Sequence, residues 1–255
     1  MKKLCMFTTI LLCSFILAAC SNSDQESKEV KLTVSAAASL KDALDEIKQH
    51  YEKEHPDVSL TFNYGSSGSL KQQILQGAPV DLFFSAAIEP YNELVEKGII
   101  EEGTNLLGNE LALIVPKNNS SIKRFEDLAA EEIHKMSIGT PETVPAGLYA
   151  KETLERMNLW EAVESKLVYA KDVRQVLSYV ETGNVDAGIV YKTDALVSDK
   201  VKIAATADES IHAPIMYPVG VIKESQNYDA AKSFYQYLQS ENAIKVFEAY
   251  GFTVK

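Results

Sequence analysis

Apolar residues recur along this chain with two alternating periods. Over Val30–Ser35 and Val58–Phe62 every second residue is apolar, the spacing of a half-buried strand. Val80–Ser85 and Leu111–Pro116 are near-continuous apolar runs, as in strands buried on both faces. Met136–Gly139, Val168–Ala170, Ala187–Tyr191 and Val219–Ile222 complete the predicted strands. Between them the period lengthens to that of a helix. Leu40, Leu44, Ile47 and Tyr51 share one face, as do Leu70 and Ile74, and Val173, Val176, Leu177 and Val180. Further helices are predicted over Glu89 to Lys97 with a stop at Gly98, Leu148 to Met157, Ala230 to Leu238 and Ala243 to Tyr250. Phe125–Leu128 reads as a short helical piece. Strands alternating with helices predict an α/β fold with mainly parallel sheets.

In such sheets ligands sit at the carboxyl ends of strands, beside helix N-termini. Small-residue turns fall at these ends. Ala36-Ala37-Ala38-Ser39 follows the first strand, with Ser39 at the predicted N-cap. Gly65-Ser66-Ser67-Gly68-Ser69 follows the second, and Val144-Pro145-Ala146-Gly147 opens the helix after Met136–Gly139. Asp172 caps the helix that starts at Val173, and Tyr191 ends its own strand. The first backbone N–H groups of a helix have no partner within it and point outward with the positive end of the dipole. Serine hydroxyls add donors, and glycines let a ligand approach the backbone. The arrangement predicts a site for a small anion.

The first 19 residues stand apart. Lys2 and Lys3 precede the apolar run Leu4 to Leu17, which is short for a membrane span. Leu17-Ala18-Ala19-Cys20 then resembles a bacterial lipobox, which implies cleavage before Cys20 and a diacylglycerol on its sulfur. Residues 20–29, rich in Ser, Asn, Asp and Gln, read as a polar tether. Cys5 and Cys13 leave with the signal, so the exported chain folds without a disulfide. Losing two lysines takes the net charge from −11 to −13. That surface argues against nucleic acid and against a polybasic grip on lipid. An anionic ligand is then held by local dipoles and not by the overall field.

The stretches Ala36-Ala37-Ala38-Ser39-Leu40, Ser66-Ser67-Gly68-Ser69, Gly77-Ala78-Pro79-Val80-Asp81-Leu82-Phe83, Val144–Gly147, Glu181–Tyr191 and Tyr250–Lys255 together resemble the molybdate-binding proteins of ABC importers. The resemblance runs from about Lys31 to Lys255. It implies the type II periplasmic-binding-protein fold, with two domains around a ligand cleft. Its ligand positions fall on Ser39 and Ser67 (hydroxyl and backbone N–H), Ala146 and Val173 (backbone N–H) and the hydroxyl of Tyr191. Tyr64-Gly65 and Gly68 depart from the usual turn, so Ser66 stands as an alternative to Ser67. The implied ligand is molybdate or tungstate, with sulfate as the rival anion. No cofactor is implied. The implied partners are the permease and ATPase of an importer, with a monomeric protein anchored outside the cytoplasmic membrane through Cys20. A site built only of donors rejects hydrogen phosphate, whose proton needs an acceptor.

Enzyme readings find little support. Gly65-Ser66-Ser67-Gly68 has the wrong spacing for a nucleophile elbow, and the S-x-x-K match at Ser120–Lys123 lies in a polar loop. His50, His55, His134 and His212 are expected at the surface, and no cluster has zinc or calcium spacing. Arg174 is expected to rim the cleft or pair with an acid. Asp81 and Asp186 are expected as strand-end caps. Tyr191 without a neighbouring tyrosine argues against an iron site. The expected domains are residues 30–108 with 219–255, and residues 109–218, joined by two crossings.

Overall fold

The computed structural model describes residues 29–255, so the signal segment, Cys20 and most of the tether lie outside the described residues. In chain order the first elements are β1 (Val30–Ala37), α1 (Lys41–Glu54), β2 (Val58–Gly65), α2 (Ser67–Leu75), β3 (Leu82–Phe84), α3 (Ile88–Glu96) and β4 (Ile100–Gly108). Then come β5 (Leu111–Pro116), β6 (Met136–Gly139), α4 (Pro145–Arg156), α5 (Trp160–Val163), β7 (Leu167–Ala170), α6 (Val173–Glu181), β8 (Ala187–Tyr191), α7 (Lys192–Leu196) and β9 (Val201–Thr206). The chain closes with β10 (Met216–Ile222), α8 (Tyr228–Leu238), α9 (Glu241–Ala249) and β11 (Thr253–Val254).

The strands form two sheets. One has six strands in the order β11-β4-β10-β3-β1-β2, and the other five in the order β7-β6-β8-β5-β9. The chain leaves the first sheet after Gly108 and enters the second at Leu111. It returns in β10, where a bulge interrupts the pairing with β4 between Tyr217 and Pro218.

Helices and strands alternate as the periodicity predicts, but the sheets are mixed and not mainly parallel. β1, β2 and β3 run parallel, whereas β10 pairs antiparallel with β3 and β4, and β11 with β4. In the second sheet β6 pairs parallel with β7 and β8, and β5 antiparallel with β8 and β9. The strands that turn the sheets mixed include the three that the pattern misses, β4, β9 and the two-residue β11. β4 reads Ile-Glu-Glu-Gly-Thr-Asn before its apolar end, and β9 is an edge strand with small residues. Backbone pairing to β10 and β5 defines these strands where side chains do not.

The core is continuous across both sheets. Leu32, Val34, Leu82 and Phe84 of the first sheet belong to the same buried cluster as Leu113, Ile138 and Ile189 of the second. Burying one such side chain contributes about 1.5–3 kcal/mol. The described residues contain no cysteine, so this burial is the main source of their stability. A smaller cluster of Leu70, Ile74, Phe83, Tyr91 and Leu94 seats α2 and α3 on the other face of the first sheet.

Candidate functional site

On the first sheet, β1 runs into a tight turn at Ala38–Leu40 before α1 begins. That turn delays the helix, so its N-cap is Leu40 and not Ser39. Ser39 makes no cap bond. Its Oγ lies 2.9 Å from the Tyr217 hydroxyl, inside the protein. After β2 the serines divide their work. Ser66 is the N-cap of α2: its Oγ accepts from Ser69 N–H at 3.3 Å and donates to Ser69 Oγ at 2.8 Å. Ser67 is the first helical residue, fully buried, and its Oγ accepts from Ala86 N–H at 2.9 Å.

On the second sheet, α4 opens at Pro145 directly over the end of β6. A methyl group on Gly147 would lie 2.0 Å from the Gly139 carbonyl oxygen, so only glycine lets the helix start come this close to the strand. Proline has no N–H, so Ala146 carries the first donor of α4. Asp172 caps α6, as expected, by accepting from Gln175 N–H at 2.9 Å. Val173 is the first residue of that helix and is buried. Tyr191 ends β8 and is 1% exposed, deep in the structure. Its hydroxyl donates across to the Ala86 carbonyl at 3.2 Å.

These openings converge. Ser39, Ser67, Ala146, Val173 and Tyr191 line one small cavity between the two sheets, and Ser66 lines it too. Every lining residue is neutral. The hydrogen bonds settle what the serines can offer. Ser67 Oγ already accepts from Ala86, so its own proton is free to point inward. The Ser66 proton is spent on Ser69. Helix-opening N–H groups of Ser67, Ala146 and Val173 add backbone donors. The arrangement can receive an unprotonated anion and offers no carboxylate to a protonated one.

Charged groups stand one layer out. The Arg174 guanidinium lies 2.7 Å from Asp194 and 2.5 Å from Asp42 on α1, so it bridges the two sheets as an ion pair. Its Nη2 also donates to the Ser39 carbonyl at 3.4 Å. Burial pushes the Asp194 carboxyl up to about 6, against the pull of Arg174. Gly68 N–H donates to the Thr143 carbonyl at 3.0 Å, a second bridge made of backbone alone.

Several expectations change. Tyr191 does have a tyrosine neighbour: Tyr217 lies edge-on at 5.6 Å, brought by β10 from far along the chain. Burial is the first cause that pushes both hydroxyls well above the ordinary tyrosine range, which disfavours the phenolates an iron site would need. His212 is buried, 5% exposed, with Nδ1 against the Ala213 carbonyl and its ring 6.0 Å from Tyr149. Asp186 caps the start of β6, accepting from His134 and Lys135 N–H, whereas Asp81 accepts from Thr33 N–H within β1. Sequence reasoning missed Ala86, Asn109 and Tyr217. The Gly108-Asn109 break between strands was the one local signal for Asn109; nothing local marks the others.

Comparison with known proteins places this geometry. The bacterial extracellular solute-binding protein family matches residues 32–253. A Bacillus subtilis protein named as an ABC transporter substrate-binding lipoprotein, YvgL, is 53% identical over 260 residues, covering 100% of this chain and 99% of the relative. The Haemophilus influenzae molybdate-binding protein ModA is 39% identical over 264 residues, covering 100% of each. Among solved structures, the Azotobacter vinelandii periplasmic molybdate-binding protein aligns with a TM-score of 0.81 over 88% of this chain and 99% of that one; at 22% identity this shows the shared fold.

Proposed function

Because the chain belongs to the bacterial extracellular solute-binding protein family, we propose that it is the molybdate-binding lipoprotein of an ABC importer. It takes tungstate as a second ligand and delivers the oxyanion to the importer's permease and ATPase subunits. The observation that carries this reading is the neutral cavity between the sheets, lined by hydroxyls and helix openings with no carboxylate and no cation. Ser39 and Ser67 donate through hydroxyl and backbone N–H, Ala146 and Val173 through backbone N–H, and Tyr191 through its hydroxyl. Ser66 keeps its cap role, and Arg174 stays on its acids.

The energetics favour such a site. A buried dianion is very costly unless its oxygens are hydrogen-bonded. A helix N-terminus is worth about half a positive charge, so the three openings of α2, α4 and α6 supply about one and a half. Bonds to a charged oxygen are shorter and stronger than neutral ones. Tyr191 turns its proton from the Ala86 carbonyl to the anion on binding.

The two sheets with their helices form two domains, residues 30–108 with 219–255 and residues 109–218. The gap between Gly108 and Leu111 and the bulge at Tyr217 and Pro218 support boundaries there. Donors from both domains hold the cleft shut, and closure is the state the permease reads. Cleavage before Cys20 and its lipidation anchor a monomer to the outer face of the cytoplasmic membrane. The lipoprotein name of the Bacillus subtilis relative supports the anchor.

Calorimetric titration of the mature protein with molybdate, tungstate, sulfate and phosphate tests the reading. Molybdate and tungstate should bind tightly, phosphate weakly or not at all, and moderate salt should change little, since buried contacts are poorly screened. Phosphate binding as tight as molybdate at neutral pH would refute it. Sulfate binding as tight as molybdate would replace molybdate with the rival anion on the same donors.

A further inference from the structure

Resting on the oxyanion reading above, we propose that Asn109 and Tyr217, neither of which contributes to the cavity lining, are positioning residues that fix Ser39 as a donor and so set the discrimination between unprotonated and protonated anions.

The inference is an inventory of protons. Asn109 follows β4 directly and spans the gap before β5. Its Oδ1 accepts from Glu110 N–H at 2.9 Å. A backbone N–H can only donate, so this bond fixes which end of the amide is oxygen. The Nδ2 protons then go to Thr193 Oγ1 at 2.9 Å and to the Tyr217 hydroxyl at 3.1 Å. Tyr217 therefore accepts from Asn109, and its single proton is left for its other partner, Ser39 Oγ, at 2.9 Å. Ser39 Oγ accepts that proton and has its own free for the cavity. The polarity runs one way, from a backbone amide through Asn109 and Tyr217 to Ser39. All of Tyr217 and nearly all of Ser39 are buried, so water does not interrupt the relay. On the same wall the Ala86 N–H does the same for Ser67 in a single step.

One atom decides the direction. In Asn109→Asp, Oδ1 still accepts from Glu110, but Oδ2 now accepts from Tyr217. Tyr217 then accepts from Ser39, and Ser39 turns a lone pair into the cavity. Tyr217→Phe, which adds no charge, cuts the relay and leaves the Ser39 hydroxyl free to turn either way.

The experiment is calorimetry of wild type, Asn109→Asp and Tyr217→Phe with molybdate, sulfate and phosphate at about pH 6 and about pH 8, with thermal melts to establish folding. For Asn109→Asp, molybdate and sulfate affinities should fall together by about ten- to hundred-fold, the worth of a hydrogen bond to a charged group. The molybdate-to-phosphate ratio should fall by more than tenfold, and phosphate should bind more tightly at the lower pH, where it carries its proton. Tyr217→Phe should lower the same ratio by a smaller factor. A folded Asn109→Asp with the wild-type ratio and no pH dependence overturns the relay. So does a Tyr217→Phe ratio equal to wild type, since the loss in Asn109→Asp would then be added charge alone. Failure of wild type to bind any of the three anions overturns the oxyanion reading itself, and the relay with it.

Discussion

Gly68→Ala tests closure without touching a ligand-binding residue. Gly68 lies in the first turn of α2, and its N–H meets the Thr143 carbonyl across the cleft. A methyl carbon there would sit 2.6 Å from the Thr143 oxygen, 2.8 Å from its Cα and 3.1 Å from its carbonyl carbon. All three are backbone atoms, so no side chain can swing away. Reaching the 3.4 Å of ordinary contact requires the two walls to part by about 0.8 Å. Overpacking of this kind costs about 1–3 kcal/mol. On the proposed hinge closure the clash belongs to the closed form alone. In open and closed forms alike, alanine improves the helix by about 1 kcal/mol over glycine. The substitution should therefore leave the melting temperature equal or raised while it weakens molybdate binding by about 5- to 150-fold. Calorimetry gives the affinity, and small-angle scattering of the loaded protein gives the compaction. Wild-type affinity in a folded Gly68→Ala would show that the walls need not meet at Thr143 for the anion to be held.

Three further outcomes are expected. Tyr191→Phe should lower molybdate affinity by about ten- to hundred-fold if the hydroxyl turns to the anion; a loss of only a few-fold, the worth of a neutral bond such as that to Ala86, would keep the proton on the carbonyl. Cys20→Ser should release the protein from the membrane fraction with binding intact, because stable anchoring needs two acyl chains; a variant still membrane-bound after fractionation removes the lipid anchor. Asp194 is held at about 6, above its ordinary 3.8, so the folded protein takes up a proton that the unfolded chain does not. Its contribution to stability is then fully present below about pH 4 and is lost as pH rises through about 6, by at most about 3 kcal/mol in all. In melts over that range Asp194→Asn should lack this component, and parallel curves for the two proteins would refute it.

The sequence made the residues of the cavity wall legible because each sits at a strand end or a helix opening, and those are local signals. Ser67, Ala146, Val173 and Tyr191 stand at helix openings and a strand end that their neighbours mark, but it is the family resemblance that singles them out there, and the turn alone leaves Ser66 open beside Ser67. Ser39 was placed correctly at the strand end but given the wrong job, since the delayed start of α1 depends on a turn that periodicity does not report. What lay behind the wall was not legible. Tyr217 reaches Ser39 across 178 positions, and Tyr191 reaches Ala86 across 105. Such pairings are set by strand order, and the order β10-β3-β1 followed from no local pattern. The burial of His212 belongs to the same class, because its surroundings come from α4.

The contacts between Gly68 and Thr143, between Arg174 and Asp42, and between Tyr191 and Ala86 are made by the protein with itself. On the proposed hinge closure these contacts give the closed form a population of its own before any anion arrives, and the observed dissociation constant is then the intrinsic one divided by that fraction. Strengthening these bonds tightens every anion alike and adds nothing to the choice among them. The same bonds stand in the way of release. An anion held strongly and one held weakly share this part of the barrier, so unloading speed is governed largely by the partner that pries the walls apart. Cargo identity would then be read on loading and scarcely at all on delivery.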